Sequence, residues 1–600
     1  MRFKEKANLI WSVADLLRGD YKQSDYGKVI LPLTVLRRLD CVLAPTKKAV
    51  LDYLPKINSS ATDSKIDLIL NNIAGHNFHN RSKYDFEKLK EDPDNIAANL
   101  RNYIAGFSAS AGEIIKYFNF DDQIIRMDNP QSDILFQVVT KFAEIDLSDM
   151  DSMEMGYVFE ELIRCFSEQS NETAGEHFTP REVIKLMVNI LFITDNEILT
   201  QEGFEKTLYD PACGTGGMLS VAEKHLKEFN PNAKLEVFGQ EINPESYAIC
   251  KSDMLIKSQN PANIKYGNSF TNDGLENEKF DYMLSNPPFG VDWKKAKNFI
   301  KNEHDNLGYS GRFGAGLPRI NDGALLFLQH MISKMKPKGT RIGVVFNGSP
   351  LFTGQAGSGE SNIRKWIIEN DWLEAIIALP DQLFYNTGIS TYIWIVNNHK
   401  TDERKGKIQL INATGAKDDE LLAEGKIVFN RFYEKMTRNL GNKRKKIPEN
   451  GTDKGISFIT KLYVDFEENE FVKIFPNEYF GYWRITVEQP QKDNNGNIIT
   501  DKKGKPKADS SLRDYENIPF LRKQKDGRLV EQTIEEYFQR EVTPHLPNAW
   551  IDESKTKIGY EINFTKYFYE FKKLRPLDEI KADILALEKE TTELEKGVLL

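Results

Sequence analysis

Beyond Thr200 the chain alternates short β-rich runs with amphipathic stretches of helical length, a pattern that few folds can satisfy. The β-type runs cover residues 207–209, 235–239, 280–284, 341–346, 373–379 and 390–396, and the stretches 218–229, 244–257, 325–335 and 362–369 between them suit helices. Strands separated by helices pair in parallel, because a parallel crossover needs a dozen or more residues. The expected architecture is an α/β, doubly wound, mostly parallel sheet. Ligands of such sheets sit where the loops leave the carboxyl ends of the strands, so residues that carry chemistry are expected directly after strands.

Six hundred residues exceed the roughly 250 to 300 at which a single core stops growing, which points to several domains. Before the alternating region, Leu9, Ile10, Val13, Leu16 and Leu17, then Ile30, Leu33, Leu36, Leu39 and Leu43, recur at helical spacing. Helical patterns broken at 85–94 and 127–132 continue to Phe166. We expect a helical domain over 1–150, the α/β domain over 151–400, a mixed polar extension over 401–575 and a heptad helix over 576–600. The extension holds the basic cluster Lys443, Arg444, Lys445 and Lys446, read first as solvated surface and second as a phosphate contact. Its Gly, Lys and Asn-rich stretch 489–511, flanked by Phe480, Tyr482 and Trp483, reads as an exposed hairpin tip or insertion. Ile580, Ile584, Leu587, Thr591, Leu594 and Val598 follow a heptad seam with one polar member. Such a seam buries against something, either this chain or a partner subunit.

Several classes are set aside. The strongest apolar runs, at 376–379 and 392–396, are strand length and far short of the ~18 residues of a membrane span. The first residues carry no continuous apolar core or small-residue cleavage site, so no signal peptide is expected and the protein should stay in the cytoplasm. Cys41, Cys165, Cys213 and Cys250 are too scattered for a disulfide framework or a zinc site, and no metal is expected. A net charge of -9 disfavours a self-sufficient nucleic-acid binder, because Lys and Arg supply most nonspecific affinity. If DNA is the substrate, help is needed.

Two motifs fall where the sheet argument puts them. Asp210-Pro-Ala-Cys-Gly-Thr-Gly-Gly-Met-Leu219 follows the first run and precedes an amphipathic stretch. Its glycines allow a tight turn and a close ligand approach, and the helix start offers free N–H groups. By itself it is also compatible with a plain strand-to-helix turn. Glu241, after the next run, adds a carboxylate able to accept from ribose hydroxyls, and the Gly-Lys-Ser/Thr ending of a phosphate loop is missing. The second motif is Ser285-Asn-Pro-Pro-Phe-Gly290. Two prolines stiffen the backbone, so the Asn286 amide oxygen and the Pro287 carbonyl can be held as acceptors for both hydrogens of an exocyclic amine. That frees the nitrogen lone pair for attack on a methyl group. Phe289 offers an apolar face on which a planar base can stack.

DPACGTGG followed by SNPPFG resembles the motif pair of amino-methyltransferases that bind S-adenosylmethionine and methylate adenine N6. Gly175-Glu-His-Phe-Thr-Pro-Arg181, ahead of the glycine loop, resembles a segment of the modification (M) subunits of type I restriction-modification enzymes. The likeness runs from near residue 1 to about residue 400. It implies a Rossmann-like, S-adenosylmethionine-dependent methyltransferase fold with a helical front domain and a C-terminal helical or mixed extension. It further implies cofactor contacts from Glu176, His177, Phe178, Thr179, Pro180 and Arg181, with Thr215, Gly216 and Gly217 at the methionine end, Glu241 at the ribose, Asn268, Ser269 and Phe270 flanking the adenine, and Asp210 among the cofactor-binding residues. The segment 175–181 also reads as a helix start, with Thr179 as N-cap and Pro180 in the first turn; both can hold. Cys213 reads as packing, since nothing near it in sequence would activate a thiol.

The implied partners are DNA, a specificity (S) subunit that reads the target, as two M with one S, and a separate restriction (R) subunit for cleavage. Two alternatives stand beside site-specific DNA adenine methylation. One is methylation of a protein glutamine or an RNA base, since related enzymes also use Asn-Pro-Pro with an aromatic residue. The other is an idle methyltransferase-fold scaffold, against which the intact Asn286, Pro287 and Phe289 argue.

Overall fold

The structure, a computed structural model, describes residues 2–58, 60–129, 132–170, 179–193, 203, 205–385, 387–440, 442–569 and 576–598. Residues 1–562 form one compact unit and 563–600 a second.

The alternating region forms strands β1 (Glu205–Asp210), β2 (Lys234–Glu241), β3 (Ile264–Tyr266), β4 (Tyr282–Ser285), β5 (Arg341–Asn347), β6 (Leu373–Ala378) and β7 (Thr391–Asn397). They are joined by β8 (Lys407–Asn412) and, after a hairpin of β9 (Glu434–Leu440) and β10 (Lys443–Lys446), by β11 (Val472–Pro476). The nine-stranded sheet has the order β11-β8-β6-β7-β5-β4-β1-β2-β3. Pairing is parallel from β3 across to β5 and between β6 and β8. β7 runs antiparallel between β5 and β6, and β11 antiparallel beside β8. The sheet therefore continues past residue 400 into the segment whose composition reads as a polar extension.

Every residue of β6 and β7 is buried, as expected for strands covered on both faces. Leu208, Leu284, Val345, Ile377 and Ile393 share one core with the Arg181–Phe192, Gly217–Phe229 and Gly455–Asp465 helices. On the opposite face Tyr209 stacks on Phe280 at 4.5 Å and hydrogen-bonds His330 of the Ala324–Ser333 helix.

The described residues before the sheet are mainly helical. Gly27–Tyr53 is the longest of these helices, and Leu33, Leu36, Leu39 and Leu43 on it are buried in the first core. Val158, Phe159, Leu162 and Phe166 of the Ser152–Ser170 helix close that core. Ala248, Ile249 and Leu255 of the Pro244–Ile256 helix join it too, whereas Tyr247, Cys250 and Met254 face the sheet. One helix thus welds the helical layer to the α/β layer.

Two sequence expectations change. Pro180, not Thr179, caps the Arg181–Phe192 helix, because its carbonyl accepts from the backbone N–H groups of Val183 and Ile184. The basic cluster is not solvated as a group. Lys443 is buried against Glu182, Lys445 pairs with Asp381 at 2.5 Å and Lys446 with Glu434 at 3.2 Å. Burying a charge requires a partner, and Glu182 supplies it.

Past β11 a smaller antiparallel sheet centres on β12 (Gly481–Glu488), paired with β13 (Asp514–Pro519) and with strands Trp550–Ile551 and Lys557–Tyr560. The stretch 489–511 projects from β12 and β13 as a largely exposed hairpin arm. In the second unit the Leu577–Val598 helix carries Ile580, Ile584 and Leu587 exposed; the side chains of Leu594 and Val598 lie outside the described residues. No helix among the described residues is long and apolar enough to cross a membrane.

Candidate active site

The strand order reverses between β1 and β4. From β1 the chain builds outward through β2 to β3, and from β4 outward through β5, leaving a crevice at their carboxyl ends. Asp210 is the last residue of β1 and Ser285 the last of β4. The Ser285 hydroxyl donates to Asp210 Oδ1 at 2.8 Å and the Ala212 backbone N–H donates to the same oxygen at 3.0 Å. Both motifs therefore start from one hydrogen-bonded pair. Burial pushes the Asp210 carboxyl up to about 7, against the lowering effect of these two donors.

The glycine loop is folded onto the end of β2. Cys213 N–H donates to the Gln240 carbonyl at 3.1 Å, and Gly214 N–H donates to Glu241 Oε2 at 2.8 Å. Glu241 Oε1 accepts from Asn243 N–H at 2.7 Å, and Asn243 in turn caps the Pro244–Ile256 helix. Gly216 has φ +83°, and a Cβ there would lie 2.7 Å from Cys250 Sγ. Glycine is thus required twice over, by conformation and by contact. The neighbouring Cys250 thiol and burial hold Cys213 protonated, in keeping with a packing role.

The loop after β3 closes the third side. Gly267 N–H donates to the Glu241 carbonyl at 2.9 Å, the Ser269 hydroxyl donates to the Pro211 carbonyl at 2.6 Å, and Asn268 Oδ1 accepts from Phe270 N–H at 2.8 Å.

These loops enclose a cavity of about 340 Å³. Of the residues singled out in the sequence, Thr179, Asp210, Thr215, Gly217, Glu241, Asn268, Ser269, Phe270 and Asn286 line it. Asn286 Oδ1 is buried and accepts no hydrogen bond. Pro287 is buried and, like Gly216, is not among the lining residues, whereas Pro288 is. Phe289 packs edge-on to Phe384 at 6.1 Å rather than lining this cavity. Arg181 also turns away. Its guanidinium donates to Glu160 Oε1 at 2.7 Å and lies over the Tyr157 ring at 4.4 Å. Glu176, His177 and Phe178 lie outside the described residues.

Sequence reasoning missed Glu160, which lines the cavity from the Ser152–Ser170 helix. Burial raises its carboxyl pKa and Arg181 opposes that shift. Its only signal is an acidic residue beside the buried stripe of a helix. Ile242, Asn243, Cys213 and Phe327 also reach the cavity.

Among the described residues, the acidic side chains Glu160, Asp210 and Glu241 line it and no Lys or Arg does. That donor set fits a cationic sulfonium nucleoside. Each carboxylate oxygen of Glu241 retains a lone pair for a ribose hydroxyl, and the acidic lining favours positive charge on the ligand.

Fold and cavity together define an S-adenosylmethionine-dependent methyltransferase. The chain belongs to the N-6 DNA methylase family, which residues 150–459 match, and residues 6–142 match the HsdM N-terminal domain. It is 28% identical over 425 residues to the type I restriction enzyme MjaIX methylase subunit of Methanocaldococcus jannaschii, covering 68% of this chain and 72% of that one. It is 30% identical over 320 residues to the MjaVII methylase subunit of the same organism, a match spanning 53% of this chain and about half, 52%, of the relative. A type I restriction-modification methyltransferase subunit from Streptococcus thermophilus shares the fold, with a TM-score of 0.60 at 22% identity over 80% of this chain and 97% of that one.

Proposed function

We propose that this protein methylates the N6 amine of adenine in DNA as the modification subunit of a type I restriction-modification complex. The bare, buried Asn286 Oδ1 at the cavity wall carries the reading, because a buried acceptor without a donor is costly unless a ligand completes it. S-adenosylmethionine, when bound, supplies a methyl group on a positively charged sulfur. Asn286 accepts one N–H of the target amine and the Pro287 carbonyl the other, which localises the nitrogen lone pair for attack on that methyl. The C–S bond would break as the N–C bond forms, and the methylated nitrogen would give up one proton to solvent. Ser285 and Asp210 fix the loop from below, and the proline pair fixes its backbone. Thr179, Thr215, Gly216 and Gly217 serve the methionine end, Glu241 the ribose, and Asn268 to Phe270 the adenine. By the family resemblance Glu176, His177, Phe178 and Pro180 contact the cofactor, and Arg181 acts through Glu160. Phe289 receives the flipped base, whose extrusion costs a few kcal/mol.

Target recognition belongs to a specificity subunit, with two modification subunits for each, and cleavage to a restriction subunit, all in the cytoplasm. The exposed Ile580, Ile584 and Leu587 form the seam offered to the specificity subunit. The test is transfer of tritium from labelled cofactor to DNA, with and without that subunit. Label in N6-methyladenine supports the reading; label in protein or RNA alone would overturn it, and none under any condition would leave an idle scaffold. Deleting residues 577–600 should weaken the complex with the specificity subunit in gel filtration while cofactor affinity is unchanged.

A further inference from the structure

We propose that Arg312, which no sequence motif marks, is a positioning residue that holds the adenine end of the cofactor pocket to the segment following the SNPPFG loop; the proposal rests on the cofactor reading above. The Ser269 and Phe270 carbonyls both accept from Arg312, at 2.8 Å from Nη1 and 2.6 Å from Nη2. Glu303, on the Lys297–Leu307 helix, takes Nε at 3.0 Å and Nη2 at 2.7 Å, and also the Arg312 backbone N–H at 2.6 Å. Nη1 reaches His330 Nδ1 at 3.2 Å. A guanidinium presents five N–H donors in a rigid fork, so it alone among side chains can serve two carbonyls, a carboxylate and an imidazole together.

The His330 contact extends the clamp to β1. Arg312 can only donate, so Nδ1 is the acceptor and the imidazole proton sits on Nε2, which donates to the Tyr209 hydroxyl at 3.0 Å. Tyr209 directly precedes Asp210. The aromatic packing repeats the link, for Phe270 lies 4.5 Å from Phe327 and 6.0 Å from Phe313, in one cluster with Trp293 and Ile300. The wall that flanks the cofactor adenine is thus built on residues 293–327, which continue from the loop that would meet the target base.

Cofactor binding to the full chain, read by calorimetry, tests the clamp. Arg312→Met and Arg312→Lys should each lower affinity for S-adenosylmethionine by about 10- to 100-fold, the order seen when a residue that orients a site's direct contacts is removed. Lysine should fail because it lacks the fork. S-adenosylhomocysteine and adenosine should weaken by the same factor, and KM for the cofactor should rise more than kcat falls. Backbone amides at 267–272 should exchange faster in the cofactor-free variants. Unchanged affinity with unchanged exchange would overturn the proposal, as would a uniform loss of melting temperature, kcat and affinity. A wild-type chain that binds no S-adenosylmethionine would sink the cofactor reading instead, while faster exchange at 267–272 in Arg312→Met would still support the clamp.

Discussion

The loops on the two sides of the crevice are finished in opposite ways. At the ends of β1 and β2, Asp210 and Glu241 are already engaged: Asp210 by Ala212 N–H and the Ser285 hydroxyl, Glu241 by Gly214 and Asn243 N–H. At the end of β4, Asn286 keeps its amide oxygen buried and bare. An unmade hydrogen bond of this kind costs about 1–3 kcal/mol. The first side is a rigid shape whose polar groups are satisfied by the protein, and a ligand adds to it. The second is a socket completed only by a donor from outside. Binding and chemistry are therefore separable by mutation.

Asn286→Ala should separate them most sharply. Methyl transfer should fall by at least about 10²- to 10³-fold, the size of effect seen when one preorganised hydrogen-bonding group is removed. Cofactor affinity by calorimetry should be nearly unchanged. Equal loss of both would show that Asn286 belongs to the cofactor side and dissolve the contrast. Gly216→Ala probes the other side and should not separate them. Its left-handed φ alone costs an alanine about 1–2 kcal/mol, roughly tenfold, and its Cβ also meets Cys250 Sγ. Affinity and transfer at limiting cofactor should fall together, and Cys250→Ala in the same chain should restore only part, since it removes the contact but not the dihedral strain.

The same contrast separates the features that are legible in the sequence from those that are not. Strands β4 to β7 are legible because apolar runs are what two-sided burial demands, β1 and β2 because short β-rich runs there alternate with stretches of helical length, and both loops because glycine and proline fix backbone geometry locally. β8 is hidden by its polar residues. Gln409 sits fully buried on it, satisfied by the Leu462 carbonyl and by Arg404, partners remote or irregular in sequence. β11, an edge strand with Lys473 and a terminal Pro476, carries the marks of an edge rather than of a core. Lys443 reads as surface because Glu182, which neutralises it, lies 261 residues away. Glu160 and Arg312 escape for a related reason. One acts through a cavity assembled from distant loops, and the other grips backbone carbonyls, which leave no trace in side-chain identity.

The smallest effect concerns the one group shared by both sides. Burial moves the Asp210 carboxyl from 3.8 to about 7, so between those values the unfolded chain has ionised this group and the folded chain has not. Folding takes up a proton in that window, and the Asp210 contribution to stability falls as pH rises from about 4 to 7, then levels off. Cofactor binding should run the other way. A sulfonium in the cavity favours the ionised carboxylate, so affinity should rise a few-fold between pH 6 and pH 8, with proton release on binding below pH 7. Asp210→Asn should flatten that rise and leave the Asn286→Ala contrast intact at every pH. A slope that persists in Asp210→Asn would mean that another group titrates, and that the pair joining β1 to β4 holds the loops without sensing the cofactor.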